Sequence, residues 1–342
     1  MKPRRITWLG ALATAVLALH TLHAAAQQTA APAYKAPRTA FGEPDLQGLW
    51  TNASLTVLER PRAISKLVVT ADEASRIEKG WLARLSADNQ RTDPNAGAPQ
   101  VGSDVRGYNL AWLEQGSHLA VINGEIRSSW IVDPPNGRVP YSAAGWDGVR
   151  SWARRGFDDP EQRPLGERCI VGFGSTSGPP MLNVLYNNHY QIVQSPGQVA
   201  IVVEMNHDAR IIRIGGKHPP EHVRLWLGDS IGHWEGDTLV VETTNLHPGQ
   251  AFNADVRHYL YLPPTGKVTE RFTRVAADQI LYQFTVEDST AYTQAWRGEM
   301  PLRAAPGPMY EYACHEGNHS LSGILRGARY EEKQRNPAGS AK

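Results

Sequence analysis

The chain has 342 residues, with 35 Lys and Arg against 34 Asp and Glu and a net charge of +1, a balance that excludes the basic footprint of a nucleic-acid-binding protein. No stretch approaches the ~20 apolar residues of a membrane helix, which excludes a helical membrane span. The length admits one large domain or two, with a sizeable core in either case.

At the N-terminus, Lys2, Arg4 and Arg5 precede an apolar run over 6–19 and the small-residue stretch Ala24-Ala25-Ala26. Charge, apolar run and cleavage site in that order describe a signal peptide over 1–26, so the mature chain is expected to be periplasmic or secreted. Removing Lys2, Arg4 and Arg5 turns the net charge from +1 to −2. Arg4-Arg5 faintly matches a twin-arginine signal and is also ordinary leader charge, so both export routes stay open. Residues 27–40 are small, polar and proline-bearing and are expected to form a flexible leader. A single β-rich domain is expected over 41–335, with a mixed helix, loop and strand part over 41–185 and a barrel part over 186–319.

Thr70-Ala71-Asp72-Glu73 is a capping box, and Ala74, Ile77, Trp81 and Leu85 recur at helical spacing, which predicts a helix over 71–88. Residues 89–107 are rich in Asn, Asp, Gly and Pro and predict a loop. Strands are expected over 119–122 and 128–132, the second ending in the turn Asp133-Pro134-Pro135-Asn136-Gly137. From Tyr186 the pattern becomes strands separated by short turns. Runs over 190–194 and 199–204 flank Ser195-Pro196-Gly197-Gln198, and runs over 231–234 and 239–244 flank Glu235-Gly236-Asp237, which predicts two hairpins. Alternating runs over 268–275, 280–286, 295–302 and 310–315 continue the series, with Phe272 and Phe284 as core. The fold class is therefore expected to be mainly β: an antiparallel meander closing into a calycin- or lipocalin-like barrel, since closure removes exposed edges. A short helix is expected over 320–330, although Gly323 and Gly327 weaken it.

The segment Cys314-His315-Glu316-Gly317-Asn318-His319 concentrates groups that move protons or hold metals. It matches H-E-x-x-H literally, but Gly317 and Asn318 disfavour the helix that a protease-type zinc site needs, and no third ligand follows at the metzincin spacing. Cys169 and Cys314 are the two cysteines, and in an exported chain they are expected to form a disulfide. A reactive or metal-binding Cys314 is the alternative. Glu204, His207 and Asp208 stand at a strand end, where a barrel mouth presents acid/base groups. Asp229, Ser230, His233 and Asp237 have the side chains of a hydrolase triad without a nucleophile elbow around Ser230, and turn chemistry explains them more simply. Gly172, Gly174 and Gly178 miss the dinucleotide spacing, and Pro179-Pro180 stands where a helix would start.

The motifs Pro44-Asp45-Leu46-Gln47-Gly48-Leu49-Trp50, Ile131-Val132-Asp133-Pro134-Pro135-Asn136-Gly137-Arg138-Val139-Pro140, Glu204-Met205-Asn206-His207-Asp208-Ala209-Arg210, Trp234-Glu235-Gly236-Asp237-Thr238-Leu239-Val240-Val241-Glu242-Thr243-Thr244-Asn245 and Tyr310-Glu311-Tyr312-Ala313-Cys314-His315-Glu316-Gly317-Asn318 are long and specific. A chain carrying them resembles a large family of exported bacterial proteins of unknown function. The resemblance covers nearly the whole mature chain and implies no particular activity.

The function expected from these features is an exported enzyme that transforms a small, largely apolar or aromatic molecule by metal-independent acid/base chemistry, as a lyase, isomerase or hydrolase. Glu204, His207, Asp208, His315 and Glu316 would carry the protons, and Trp226, Trp234, Trp296, Tyr310 and Tyr312 would contact the ligand in a barrel pocket. No organic cofactor is implied. The alternatives are a lipocalin-like binding protein without catalysis, and a metal-dependent hydrolase built from His207, His315 and His319 with Glu204 or Glu316. Oligomeric state is not legible in the sequence.

Overall fold

The computed structural model describes residues 34–88, 95, 113–249, 252–253 and 259–335. The signal peptide expected over 1–26, the first half of the expected leader and most of the loop expected over 89–107 lie outside the described residues. The leader's last residues already belong to the fold: Ala36 is buried, Arg38 pairs with Asp237, and the Asp45 N–H donates to the Pro37 carbonyl. The fold therefore includes residues ahead of the expected start at Phe41.

In chain order the first part contains β1 (Gly48–Thr51), β2 (Val68–Val69), α1 (Ala71–Asp88), β3 (Val121–Ile122), β4 (Glu125–Arg127), β5 (Ile131–Asp133) and α2 (Ala143–Ala153). The second contains β6 (His189–Ser195), β7 (Gln198–Val203), β8 (Ala209–Ile214), β9 (Asp229–Glu235), β10 (Thr238–Thr244), β11 (Phe252–Asn253) and β12 (Tyr259–Leu260). Strands β13 (Lys267–Ala276), β14 (Gln279–Glu287) and β15 (Trp296–Ala304) follow, then α3 (Cys314–Gly317) and α4 (His319–Arg335).

Among the described residues nine strands close into a barrel in the order β1-β6-β7-β8-β9-β10-β13-β14-β15, with β1 pairing back onto β15 through Trp50 and Thr51. Strand β5 adds to β15 outside the ring. The meander is interrupted once, because β8 and β9 run parallel. A parallel neighbour requires a crossover of about a dozen residues, and the connection 215–228 supplies it, held down by Asn245 Nδ2 on the carbonyls of Pro219, Pro220 and Val223. The barrel is thus mixed rather than purely antiparallel.

The inward positions alternate as a half-buried strand requires: Val268, Glu270 and Phe272 on β13, and Ile280, Tyr282, Phe284 and Val286 on β14, are buried. A lipocalin leaves such an interior open for a ligand, whereas here the chain itself enters it. Residues 175–182 are buried throughout. The Met181 N–H donates to the Tyr282 hydroxyl at 3.0 Å, Asn52 Nδ2 donates to the Met181 carbonyl at 3.3 Å, and the Tyr190 hydroxyl donates to the Thr176 carbonyl at 3.1 Å. Beside this plug Arg210 and Glu270 form a fully buried ion pair, with Tyr282 donating to Glu270 Oε1 at 2.7 Å. A buried ion pair is costly unless further hydrogen bonds support it; Tyr282 gives one to Glu270 and Thr243 Oγ1 accepts a weaker one from Arg210 Nη2 at 3.4 Å, while Arg210 Nε has no partner.

The predicted capping box is present: Glu73 N–H donates to Thr70 Oγ1 at 3.3 Å and Thr70 N–H to Glu73 Oε2 at 2.8 Å. Helix α1 packs through Ala74 and Ile77 on a satellite core formed by Leu119 and by Val69 and Ile126 of the small sheet β2-β4-β3. Glu78 adds a polar tie to that core, accepting the Leu119 N–H at 2.8 Å. The strand expected over 310–315 does not form. Strand β15 is already flanked by β14, β1 and β5, so that edge has no vacancy, and the chain instead turns through α3 into α4, which runs beyond the expected 320–330. Cys169 and Cys314 are disulfide-bonded, with Cα atoms 5.7 Å apart.

Candidate functional site

Glu204 directly follows β7 and is almost wholly buried, whereas His207, three residues on, is exposed in a tight turn where both Asn206 and His207 have positive φ. Asp208 points the other way: its Oδ2 accepts the Gly172 N–H at 2.7 Å and the Ser177 hydroxyl. Burial raises the Asp208 pKa against the lowering effect of those two bonds. Asp208 therefore anchors the loop that leads into the plug. His315 and Glu316 are exposed on α3, and His319 is exposed at the start of α4. The helix breaks between them at Asn318, with φ −81° and ψ 59°, so the two histidines do not share one helical face.

The five expected aromatic contacts separate as well. Trp296 is fully buried among Phe284 and Tyr292, as core. Trp234 and Tyr312 are half-buried against the core, Tyr312 stacking on Tyr186 with 6.3 Å between ring centres. Trp226 is exposed beside His247, and the Tyr310 ring is exposed. Asp229, Ser230, His233 and Asp237 do not meet: Asp229 takes Arg213 and His218, Ser230 takes Thr243, His233 takes Glu235, and Asp237 takes Arg38.

What Glu204 does meet is His189 at the start of β6, which the sequence reading overlooked. His189 Nδ1 lies 2.9 Å from Glu204 Oε2 and 3.1 Å from Glu114 Oε1, and the Tyr310 N–H donates to Glu204 Oε1 at 2.9 Å. The bonds to Glu114 and Glu204 raise the His189 pKa to about 9 against the opposing effect of burial. Burial pushes Glu204 upward, but His189 and the Tyr310 N–H outweigh it and hold the carboxyl below its ordinary value. At neutral pH this is a protonated imidazole shared by two carboxylates. Their ligand atoms lie within 4.8 Å of one another, the grouping among the described residues with metal-like spacing. Nδ1 is engaged by both carboxylates and Glu204 is also bonded by a backbone N–H, so the geometry suits proton sharing.

Glu114 adjoins Gln115, and Gln115 lines a cavity of about 780 Å³ outside the barrel wall, between α1, the segment 54–64 and residues 183–186. Asn188 holds those walls together, donating to the Glu114 and Val184 carbonyls and accepting the Val184 N–H. Helix α1 contributes Arg76, Ile77, Gly80, Trp81 and Arg84, spaced along one helical face. Trp146 from α2, Phe173 and Tyr186 add rings, and Leu55, Val57, Ile64 and Val184 add aliphatic surface. A Cβ placed on Gly80 meets nothing within 4 Å, so that stretch of the helix borders open space.

The cavity is strongly cationic in a nearly neutral chain. Arg60, Arg62, Arg76, Arg84 and Arg138 line it, against a single acid, Glu59. Glu59 is engaged: it accepts the Val139 N–H at 2.8 Å and Arg138 Nη1 at 3.1 Å. The helical periodicity that predicted α1 also marks the cavity face, since Arg76 and Arg84 flank the Ile77–Trp81 stripe. No local pattern marks Arg60, because Glu59-Arg60-Pro61-Arg62 has the composition of a solvated turn. Compared with family models, curated proteins and solved structures, the chain matches none.

Proposed function

We propose that the exported chain binds a small, largely apolar or aromatic molecule, and that it does so in the cavity beside α1. The observation that carries this reading is the cavity itself: about 780 Å³, within the range of small-molecule sites, lined by rings and aliphatic side chains with a few charged groups among them. The barrel interior, where the sequence suggested a pocket, contains the buried segment 175–182.

The test uses a neutral naphthyl probe, N-phenyl-1-naphthylamine, whose fluorescence rises in apolar surroundings. The wild-type chain is expected to bind it, and Gly80→Leu to lose most of that binding, because the new side chain enters the open space that Gly80 borders. Leucine is the better helix former by about 0.5–1 kcal/mol, so the variant should fold at least as stably. Undiminished probe binding by a folded Gly80→Leu variant would refute the cavity as the site.

A second reading, that the bound molecule is also transformed by acid/base chemistry, draws support from one placement: the Glu114-His189-Glu204 cluster begins one residue from the cavity lining. His189→Gln separates the two readings. An enzyme would lose turnover and keep binding, and a binding protein would show no turnover to lose.

A further inference from the structure

We infer that the molecule taken up by this cavity is an organic anion, an apolar body bearing one carboxylate or sulfonate-like group, and that Arg60 receives the charged end. The inference rests on the binding reading above and adds the chemical class of the ligand.

Arg60 is 5 % exposed and lines the cavity. Its Nη1 donates to the Pro135 carbonyl at 2.8 Å and more weakly to the Ser65 carbonyl at 3.4 Å, and its Nε has no partner. No carboxylate lies within ion-pair distance of it among the described residues. Arg127 and Arg210, also buried and likewise with an unpartnered Nε, each have one in Glu299 and Glu270. Burial lowers the Arg60 pKa, and the like charge of Arg138 lowers it further. The charge of an anion beside Arg60 offsets both effects, and a planar guanidinium with unused donors is shaped for a carboxylate or sulfonate.

The guanidinium is also held in position. A Cβ on Gly137 would come within 2.8 Å of Arg60 Cβ and 3.0 Å of its Cζ and Nε, so the backbone there packs directly against the side chain. Gly137 has φ +68° and ends the turn after Asp133, where glycine adopts that backbone freely. Outside, Arg62, Arg76 and Arg84 are exposed and have no ion-pair partner among the described residues, so the cavity mouth attracts anions before Arg60 binds them. The acid that could compete, Glu59, is committed to Arg138 and the Val139 N–H.

Two probes of nearly the same skeleton separate this inference from the binding reading: neutral N-phenyl-1-naphthylamine and 8-anilino-1-naphthalenesulfonate, which adds a sulfonate. The full chain at low salt should bind the sulfonate about tenfold more tightly or better, the factor expected for a hydrogen bond to a charged group. Arg60→Met should remove that preference by weakening the sulfonate probe far more than the neutral one, and retained binding of the neutral probe also shows that the variant is folded. Should Arg60→Met fail to fold, Gly80→Glu takes its place, since a carboxylate beside the open space competes with the ligand's own. It should weaken the sulfonate probe more than the neutral one. Equal affinities for the two probes in the wild-type chain, or a preference unchanged in the folded variants, overturns the inference while leaving cavity binding intact. Failure of both probes to bind, or binding indifferent to Gly80→Leu, overturns the binding reading itself.

Discussion

At neutral pH the imidazole of His189 is shared between Glu114 and Glu204, and its folded-state pKa of about 9 stands above the ordinary 6.5. A raised pKa stabilises the fold fully below the unfolded value, and the stabilisation is lost as pH rises through the folded one. The difference would correspond to a few kcal/mol. Glu114 is 40 % exposed and its share is screened, which leaves about 2 kcal/mol. Urea unfolding of the wild-type chain and of His189→Gln between pH 6.5 and 9.5 checks it: the wild type should lose its advantage over the variant across that window. A constant gap between the two would mean that the cluster does not carry a proton in this way. Glu204 acts in the opposite sense, its depressed pKa stabilising the fold above the ordinary carboxylate range and failing as pH falls through the folded value. Glu204 was legible as a strand-end acid. His189 was readable too, since equal steps outward from the turn between Ser195 and Gln198 bring His189 and Glu204 opposite each other at the foot of the hairpin. Glu114 and Arg60 were not, because their partners and surroundings come from distant segments that no local pattern announces.

Among the elements, α1 and the hairpins were readable because each is specified locally, by a capping box and by turns between alternating runs. Thr70→Ala should destabilise the protein by about 1 kcal/mol, the usual worth of an N-cap, and Thr70→Ser should restore most of it. Because α1 is a wall of the cavity, the alanine variant should also bind the naphthyl probe more weakly. Urea midpoints with probe titration test both, and an alanine variant as stable as the serine one would deny the cap its role. The stretch over 310–315 misled the reading, since Tyr310 and Tyr312 flanking Glu311 imitate a strand's alternation. Whether a strand forms there depends on a vacant sheet edge, and β1 and β5 already occupy the edge of β15. The parallel β8 and β9 pair was hidden for a related reason: a connection's composition does not tell on which side it returns.

At the scale of the whole molecule, regular strand spacing made the barrel legible, but not what fills it. The segment 175–182, with its serines, threonine, glycine and paired prolines, has the composition of a surface loop and is instead buried. The disulfide ties this part of the chain to the C-terminal end, bridging residues 145 positions apart. Replacing both cysteines by serine should cost about 2–5 kcal/mol, near the upper end if the chain-entropy account holds for so long a loop. Chemical denaturation of the double variant measures it, and an unchanged midpoint would mean that the unfolded chain gains no freedom from the loss.

The seam of the barrel joins β1 to β15, the first and last of its strands. The wall is therefore incomplete until the chain has been made as far as Ala304, while the segment it encloses is finished some 120 residues earlier. During synthesis, which proceeds from the N-terminus, the Thr176 carbonyl and the Met181 N–H of that segment wait in water with their final partners, Tyr190 and Tyr282, still to come. Closing the ring and enclosing its contents thus both await the last strand of the barrel.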